Sequence, residues 1–184
     1  MTVQRGIGTI IFSIIGIIII FIAVVIILKV VRSEPPVTDI IYKTIDLRKA
    51  SDPVERADSI TALDELVSKS GNEDIKGQWD RMMQCLSSSC PDEAFLDLIL
   101  VTVASYEKDV QNSALLVNVI ATNKYWGNPE RLLDFSRALS MANEQVKLLE
   151  DRKVEKIWES IVACNNVCPE KNNYYFDLIR AIVQ

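Results

Sequence analysis

All four cysteines of the chain, Cys85, Cys90, Cys164 and Cys168, lie in two copies of one stretch. The first copy runs from Trp79 to Ile99 and the second from Trp158 to Ile179. Each has a Trp followed by an acid, a Cys six residues after the Trp, a second Cys, a Pro directly behind it, an acid, and then Asp-Leu-Ile. Paired cysteines offer redox catalysis, a thiolate metal site or a disulfide. Redox catalysis is disfavoured because neither pair has the two-residue interval that lowers a thiol pKa in such motifs. The intervals are close to zinc-ligand spacing, but one zinc on all four thiolates requires the two turns to meet, which stacked helical units do not readily allow. In each copy one Cys closes a helix and the other precedes the Pro that opens the next. A tight turn there brings two Cα atoms within the roughly 4.4–6.8 Å that a disulfide needs. The expected pairs are therefore Cys85–Cys90 and Cys164–Cys168, each stabilising the domain by about 2 kcal/mol through loop closure. No metal and no cofactor is expected.

The chain has no histidine. That removes the usual general base, the His-dependent triads and imidazole ligands, and an enzyme is not expected. From Pro53 onward there are 14 Lys and Arg against 21 Asp and Glu, a net charge of −7. Nucleic-acid affinity rests on clustered cations, so no nucleic-acid partner is expected. Trp79 and Trp158 fall on apolar stripes and read as core. Asp97 and Asp177 read as solvated carboxylates, with a hydrogen bond to the adjoining hairpin as the alternative. Tyr125, Trp126, Tyr174 and Tyr175 are the candidate interface aromatics, a class enriched where proteins meet, with a place in the core as the alternative.

The elements that must position these residues are all helical, since no segment alternates with the strand period. Ser51-Asp52-Pro53 is a helix start, and Val54, Ala57, Ile60, Leu63 and Val67 give its apolar stripe. Gly71 reads as the stop. A second helix carries Ile75, Trp79, Met82 and Leu86, and Pro91 opens a third. A connecting helix covers about 112–124. Leu132, Phe135, Leu139, Val146 and Leu149 mark the next helix, Val154, Trp158 and Ile161 the one after it, and Pro169 opens the last. With an offset of 79, Ile60 matches Leu139, Glu65 matches Glu144, Val67 matches Val146 and Ile75 matches Val154. Residues 53–108 and 129–184 thus read as two related three-helix units in a helical-repeat, α-solenoid-like domain over 53–184.

Ahead of that domain, Ile7 to Leu28 is 22 residues without a charge. As a helix it spans roughly 33 Å, against a hydrocarbon core of about 30 Å. Residues 1–32 are therefore read as a single transmembrane anchor in the lipid bilayer, and 33–52 as a Pro-containing linker in which Ile40, Ile41, Ile45 and Leu47, too apolar for a free linker, form a short helix or strand docked on the domain. Gly6, Thr9, Ser13, Gly16 and Ala23 recur at steps of 3, 4, 3 and 7. Small residues on one face let helices approach closely in lipid, so this seam is a candidate packing surface. Arg5-Gly6 before the apolar run resembles the processing site of archaeal prepilin-type (class III) signals, where a basic residue and Gly precede the cut. The resemblance implies processing at Gly6. Lys29, Arg32, Lys43, Arg48 and Lys49 follow the anchor, which favours a cytoplasmic domain. Close cysteine pairs favour an oxidising compartment. Several of the cations lie more than ten residues from the apolar run, so the domain is read as extracytoplasmic.

The expected function is a membrane-anchored helical-repeat binding or scaffolding module that meets a protein partner or a second copy of itself. The alternative is a structural subunit of a larger membrane or cell-surface assembly. Alkaline carbonate should leave the full chain in the membrane pellet. Ile17→Asp with Ile18→Asp, which together cost about 6 kcal/mol at a helix centre, should release it. Extraction of the unmodified chain by carbonate would remove the anchor reading.

Overall fold

Asn and Asp side chains cap the starts of three of the α-helices among the described residues. Asp52 accepts hydrogen bonds from the backbone N–H groups of Val54 and Glu55, Asn72 from those of Asp74 and Ile75, and Asp151 from those of Lys153 and Val154. Each satisfies donors that a first turn leaves unpaired. A computed structural model of the chain describes residues 36–87, 89–108, 110–164 and 171–184. The expected anchor and its seam, Gly6, Thr9, Ser13, Gly16 and Ala23, lie outside the described residues.

Among the described residues there are eight α-helices, one 3-10 turn and no strand. They are α1 (Val37–Lys49), α2 (Pro53–Ser70), α3 (Glu73–Leu86), α4 (Asp92–Ser105), α5 (Ser113–Tyr125), the 3-10 turn (Pro129–Arg131), α6 (Leu132–Leu149), α7 (Arg152–Ala163) and α8 (Lys171–Val183). None of these helices is long and apolar enough to cross a membrane.

The stretch read as a linker is part of the domain from Pro36 onward. Ile40, Ile41 and Ile45 of α1 are 0% exposed, too apolar a face to leave in water. The structure also enlarges the repeat. α1 and α5 have 13 residues each, α2 and α6 have 18, α3 and α7 have 14 and 12, and α4 and α8 have 14 and 13. Each unit therefore has four helices, and the expected linker and connecting helix are the same element met twice. At a spacing of 75, buried Ile40, Ile41 and Ile45 correspond to buried Leu115, Leu116 and Ile120.

The packing closes on itself. α1 packs on α4, α4 on α5, α5 on α8, and α8 returns to α1. Exchanging the two units maps each of these contacts onto another, so the domain has a pseudo-two-fold axis through a ring of four inner helices. α2 packs on α1, α3 on α4, α6 on α5 and α7 on α8. An open solenoid does not bring its last helix back to its first, so the expected stacking is corrected here. With α1 included, each unit has two inner helices, and the inner helices of one unit cover those of the other.

The outer helices bury narrower faces than their apolar residues suggest. Ser59, Leu63 and Val67 are the buried residues of α2, and Ala138, Ala142 and Val146, each 79 further on, are those of α6. Val54 and Leu132, expected inside, are 68% and 62% exposed. Both lie in first turns.

α2 ends at Gly71 with φ 62°, and α6 ends at Glu150 with φ 54°. The spacing is again 79. In both, the backbone N–H returns to a carbonyl three residues back, on Ser68 or Lys147. The left-handed conformation costs a side-chain-bearing residue about 1 kcal/mol, and Glu150 carries that cost. No atom stands within 4 Å of where a Cβ on Gly71 would lie, so only the backbone term applies there. Glu150→Gly should stabilise the domain by about 1 kcal/mol and Gly71→Ala should destabilise it by about the same. Urea melts check both. Destabilisation by Glu150→Gly would refute the equivalence of the two helix ends.

Candidate functional site

Each unit has a groove beside its repeated Trp. Asp64, Val67, Ser68, Lys76, Trp79 and Asp80 line the first, between α2 and α3. Asn143, Val146, Lys147, Glu155, Trp158 and Glu159, each 79 residues further on, line the second, between α6 and α7. Both have a volume of about 280 Å³. Trp79 and Trp158 are 2% and 4% exposed, so the rings form floors and belong to the core, as the sequence indicated. Trp79 Nε1 donates to Asp64 Oδ1 at 2.9 Å, and Trp158 Nε1 donates to Asn143 Oδ1 at 2.6 Å. An indole N–H buried without an acceptor costs about 1–3 kcal/mol; here each is met by the helix that forms the opposite wall. The trace of this tie in the sequence is an Asp or Asn fifteen residues before each Trp.

The walls differ in chemistry. In the first groove Asp64, Glu73 and Asp80 face one cation, Lys76. In the second, Glu155 and Glu159 face Lys147, and Val162 and Ala163 add apolar surface. The acid after the Trp is common to both. These groups offer hydrogen-bond acceptors and negative charge beside an apolar floor.

Cys85 and Cys90 lie at the turn between α3 and α4, and Cys164 closes α7. Cys85 and Cys90 form a disulfide with Cα atoms 4.8 Å apart, which withdraws two thiolates from a four-thiolate zinc site. Cys164 is also disulfide-bonded. Cys168, its expected partner, lies outside the described residues.

The four candidate aromatics separate. Tyr125 is half-buried, with the Arg131 guanidinium 4.5 Å from its ring centre. Trp126 meets Phe135 edge-on at 5.2 Å and holds the Lys171 ammonium 4.8 Å from its ring centre. Burial lowers the Lys171 pKa, with Glu93 opposing. Tyr174 is half-buried in a shallow groove with Ile157, Asp177 and Arg180. Tyr175 is 0% exposed and its phenol is pushed well up by burial. It belongs to the core and cannot serve as a surface contact, because its side of α8 faces the inner ring.

A polar cluster sits where α4 and α8 begin, at the junction of the units. Arg48 binds Asp92 through two hydrogen bonds, of 2.9 and 3.2 Å. Asn172 donates to Asp92 Oδ2 at 2.7 Å and accepts from Asn123 at 3.1 Å. Asp92 and Asn172 are 80 apart, the spacing of Asp97 and Asp177, so these are equivalent residues in direct contact across the axis. Asp97 and Asp177, read as solvated, each hold a lysine of the other unit: Lys124 with Asp97 at 3.3 Å, and Lys49 with Asp177. Both pairs are substantially exposed and contribute little stability; what they show is the symmetry.

No family model, curated protein or solved structure matches the chain.

Burial raises the pKa of Asp92, but hydrogen bonds from Arg48 and Asn172 and the charge of Arg48 outweigh it and hold the carboxyl below its ordinary value. A folded-state pKa below the unfolded one gives stability that is complete above the unfolded value and is lost as pH falls through the folded one. Urea midpoints measured from about pH 6 down past the ordinary carboxylate range, near 4, should therefore fall more for the parent protein than for Asp92→Asn. Parallel decline of the two would show that this contact is not linked to folding.

Proposed function

We propose that this chain is a single-pass membrane-anchored binding module whose helical domain holds protein segments in its two Trp-floored grooves. One observation carries the reading: six lining positions of the first groove recur in the second at one spacing, and an acid stands beside the Trp in both. Acceptors and negative charge beside an apolar floor suit a partner segment that presents a Lys or Arg with an aliphatic stem. Two grooves on one rigid domain raise the effective concentration for a partner with two such segments. The uncharged run Ile7–Leu28 supports the membrane anchor, and the close cysteine pairs support an extracytoplasmic domain.

A second reading, a structural subunit of a membrane or cell-surface assembly, is favoured by the small-residue seam Gly6, Thr9, Ser13, Gly16 and Ala23 and by the Arg5-Gly6 resemblance. In that case the anchor, not the grooves, would make the principal contact.

A photo-crosslinking residue at Ser68 or Lys147, in full-length protein in native membranes, should give a discrete adduct to a partner. Asp80→Lys with Glu159→Lys should abolish both adducts while leaving the thermal melt in place. Adducts that survive the double charge reversal would overturn the groove reading, as would adducts arising only from position 16.

A further inference from the structure

The duplication supplies its own comparison for every surface, because each outward position of one unit has an equivalent in the other. The outer face of α6 carries more exposed apolar surface than its equivalent on α2. Leu133 and Leu148 are 85% and 81% exposed, and Met141 is 44% exposed. Arg137 and Glu144 are also exposed. The steps along 133, 137, 141, 144 and 148 are 4, 4, 3 and 4, which place all five on one helical stripe. The equivalent stripe on α2 is Val54, Asp58, Ala62, Glu65 and Lys69, where Lys69 forms an ion pair with Glu65 within the helix. The fold therefore does not require leucine at 133 and 148, and nothing among the described residues covers them.

The order of residues along this stripe is self-complementary. Turned end for end, it places Leu133 against Leu148 and Arg137 against Glu144, both about one centre between Ser140 and Met141. A two-fold interface demands that kind of reciprocity: if one residue meets a second, the second must meet the first. One axis satisfies both pairs. Neither Arg137 nor Glu144 has an ion-pair or hydrogen-bond partner among the described residues, so each is available for an intermolecular contact. We propose that α6 pairs antiparallel with α6 of a second copy of this chain, through two Leu133–Leu148 contacts and two Arg137–Glu144 ion pairs flanking Met141. The contact does not depend on the grooves, and its failure leaves their reading untouched.

Cysteine crosslinking of the full chain in detergent under mild oxidation tests the register. Met141→Cys alone should give a disulfide-linked dimer. Leu133→Cys alone and Leu148→Cys alone should not, whereas a mixture of the two chains should. The α2 controls, Val54→Cys mixed with Lys69→Cys, should give no disulfide-linked dimer. Arg137→Glu should weaken association, read as the dissociation constant by sedimentation in the same detergent, by on the order of tenfold or more, since it sets two like charges together. Arg137→Glu with Glu144→Arg should restore it to within about threefold of the parent. Leu133→Cys crosslinking to itself as readily as to Leu148→Cys would overturn the antiparallel register. So would charge reversals that do not rescue one another, or adducts of Leu133→Cys to a different protein in place of a second copy.

Discussion

Neither four-helix unit can cover its own inner helices. α4 contributes Phe95, Leu96, Leu98, Ile99 and Val103 to the interior, and α8 contributes Tyr175, Phe176, Leu178, Ile179 and Ile182. Apolar residues at three and four consecutive spacings spread around more than one side of a helix, and such a helix must be enclosed. The outer hairpin of a unit encloses only one side. The other side is met by the second unit, through α4 on α5 and α8 on α1. Apolar surface removed from water stabilises by about 25 cal/mol per Å², whereas the exposed ion pairs that mark the rim of that contact contribute little. The ring follows from this requirement, and the grooves, the disulfide and the outer faces are placed by it.

A pseudo-two-fold axis brings equivalent residues together, and this limits what they can be. Two carboxylates in hydrogen-bonding contact cannot both ionise. At the axis the first unit has Asp92 and the second has Asn172, whose amide donates where a second acid would repel. Arg48 is matched by Asn123 in the same way: one cation serves the single carboxylate, and the second amide completes the chain of hydrogen bonds. The two copies have diverged at the axis into complementary partners. Asp97 and Asp177 stand away from it and face lysines, so both remain acids.

The sequence made the outer parts of this domain legible and hid the inner one. The Trp–Cys–Cys–Pro pattern located the turn between α3 and α4 and its disulfide, since Cys and Pro at a helix boundary leave few geometries open. The helix start at Asp52 and the stop at Gly71 also act locally and could be read locally. α1 could not. Its equivalence to α5 lies in which positions are buried, and Ile-Ile-Tyr-Lys-Thr-Ile and Leu-Leu-Val-Asn-Val-Ile share little else. The polar cluster was hidden for the same reason, because Arg48 belongs to the stretch that looked like a linker. The grooves were half visible: each Trp reads as core and an Asp or Asn stands fifteen residues before it, but that the two side chains meet is apparent only from the structure.

Comparison of the two copies separates what the fold needs from what it leaves free. Leu63 and Ala142 differ in size but both lie inside, and Val67 and Val146 are identical. Asp64 and Asn143 differ in charge but offer the same acceptor oxygen to the same indole nitrogen. These substitutions preserve a physical role. Lys76 and Glu155 reverse charge at the mouth of a groove, and Lys69 and Leu148 exchange a solvated ion pair for exposed hydrocarbon. Packing accounts for neither change, because both positions face solvent. The fold makes the two grooves geometrically alike, and the residues at their mouths make them chemically distinct.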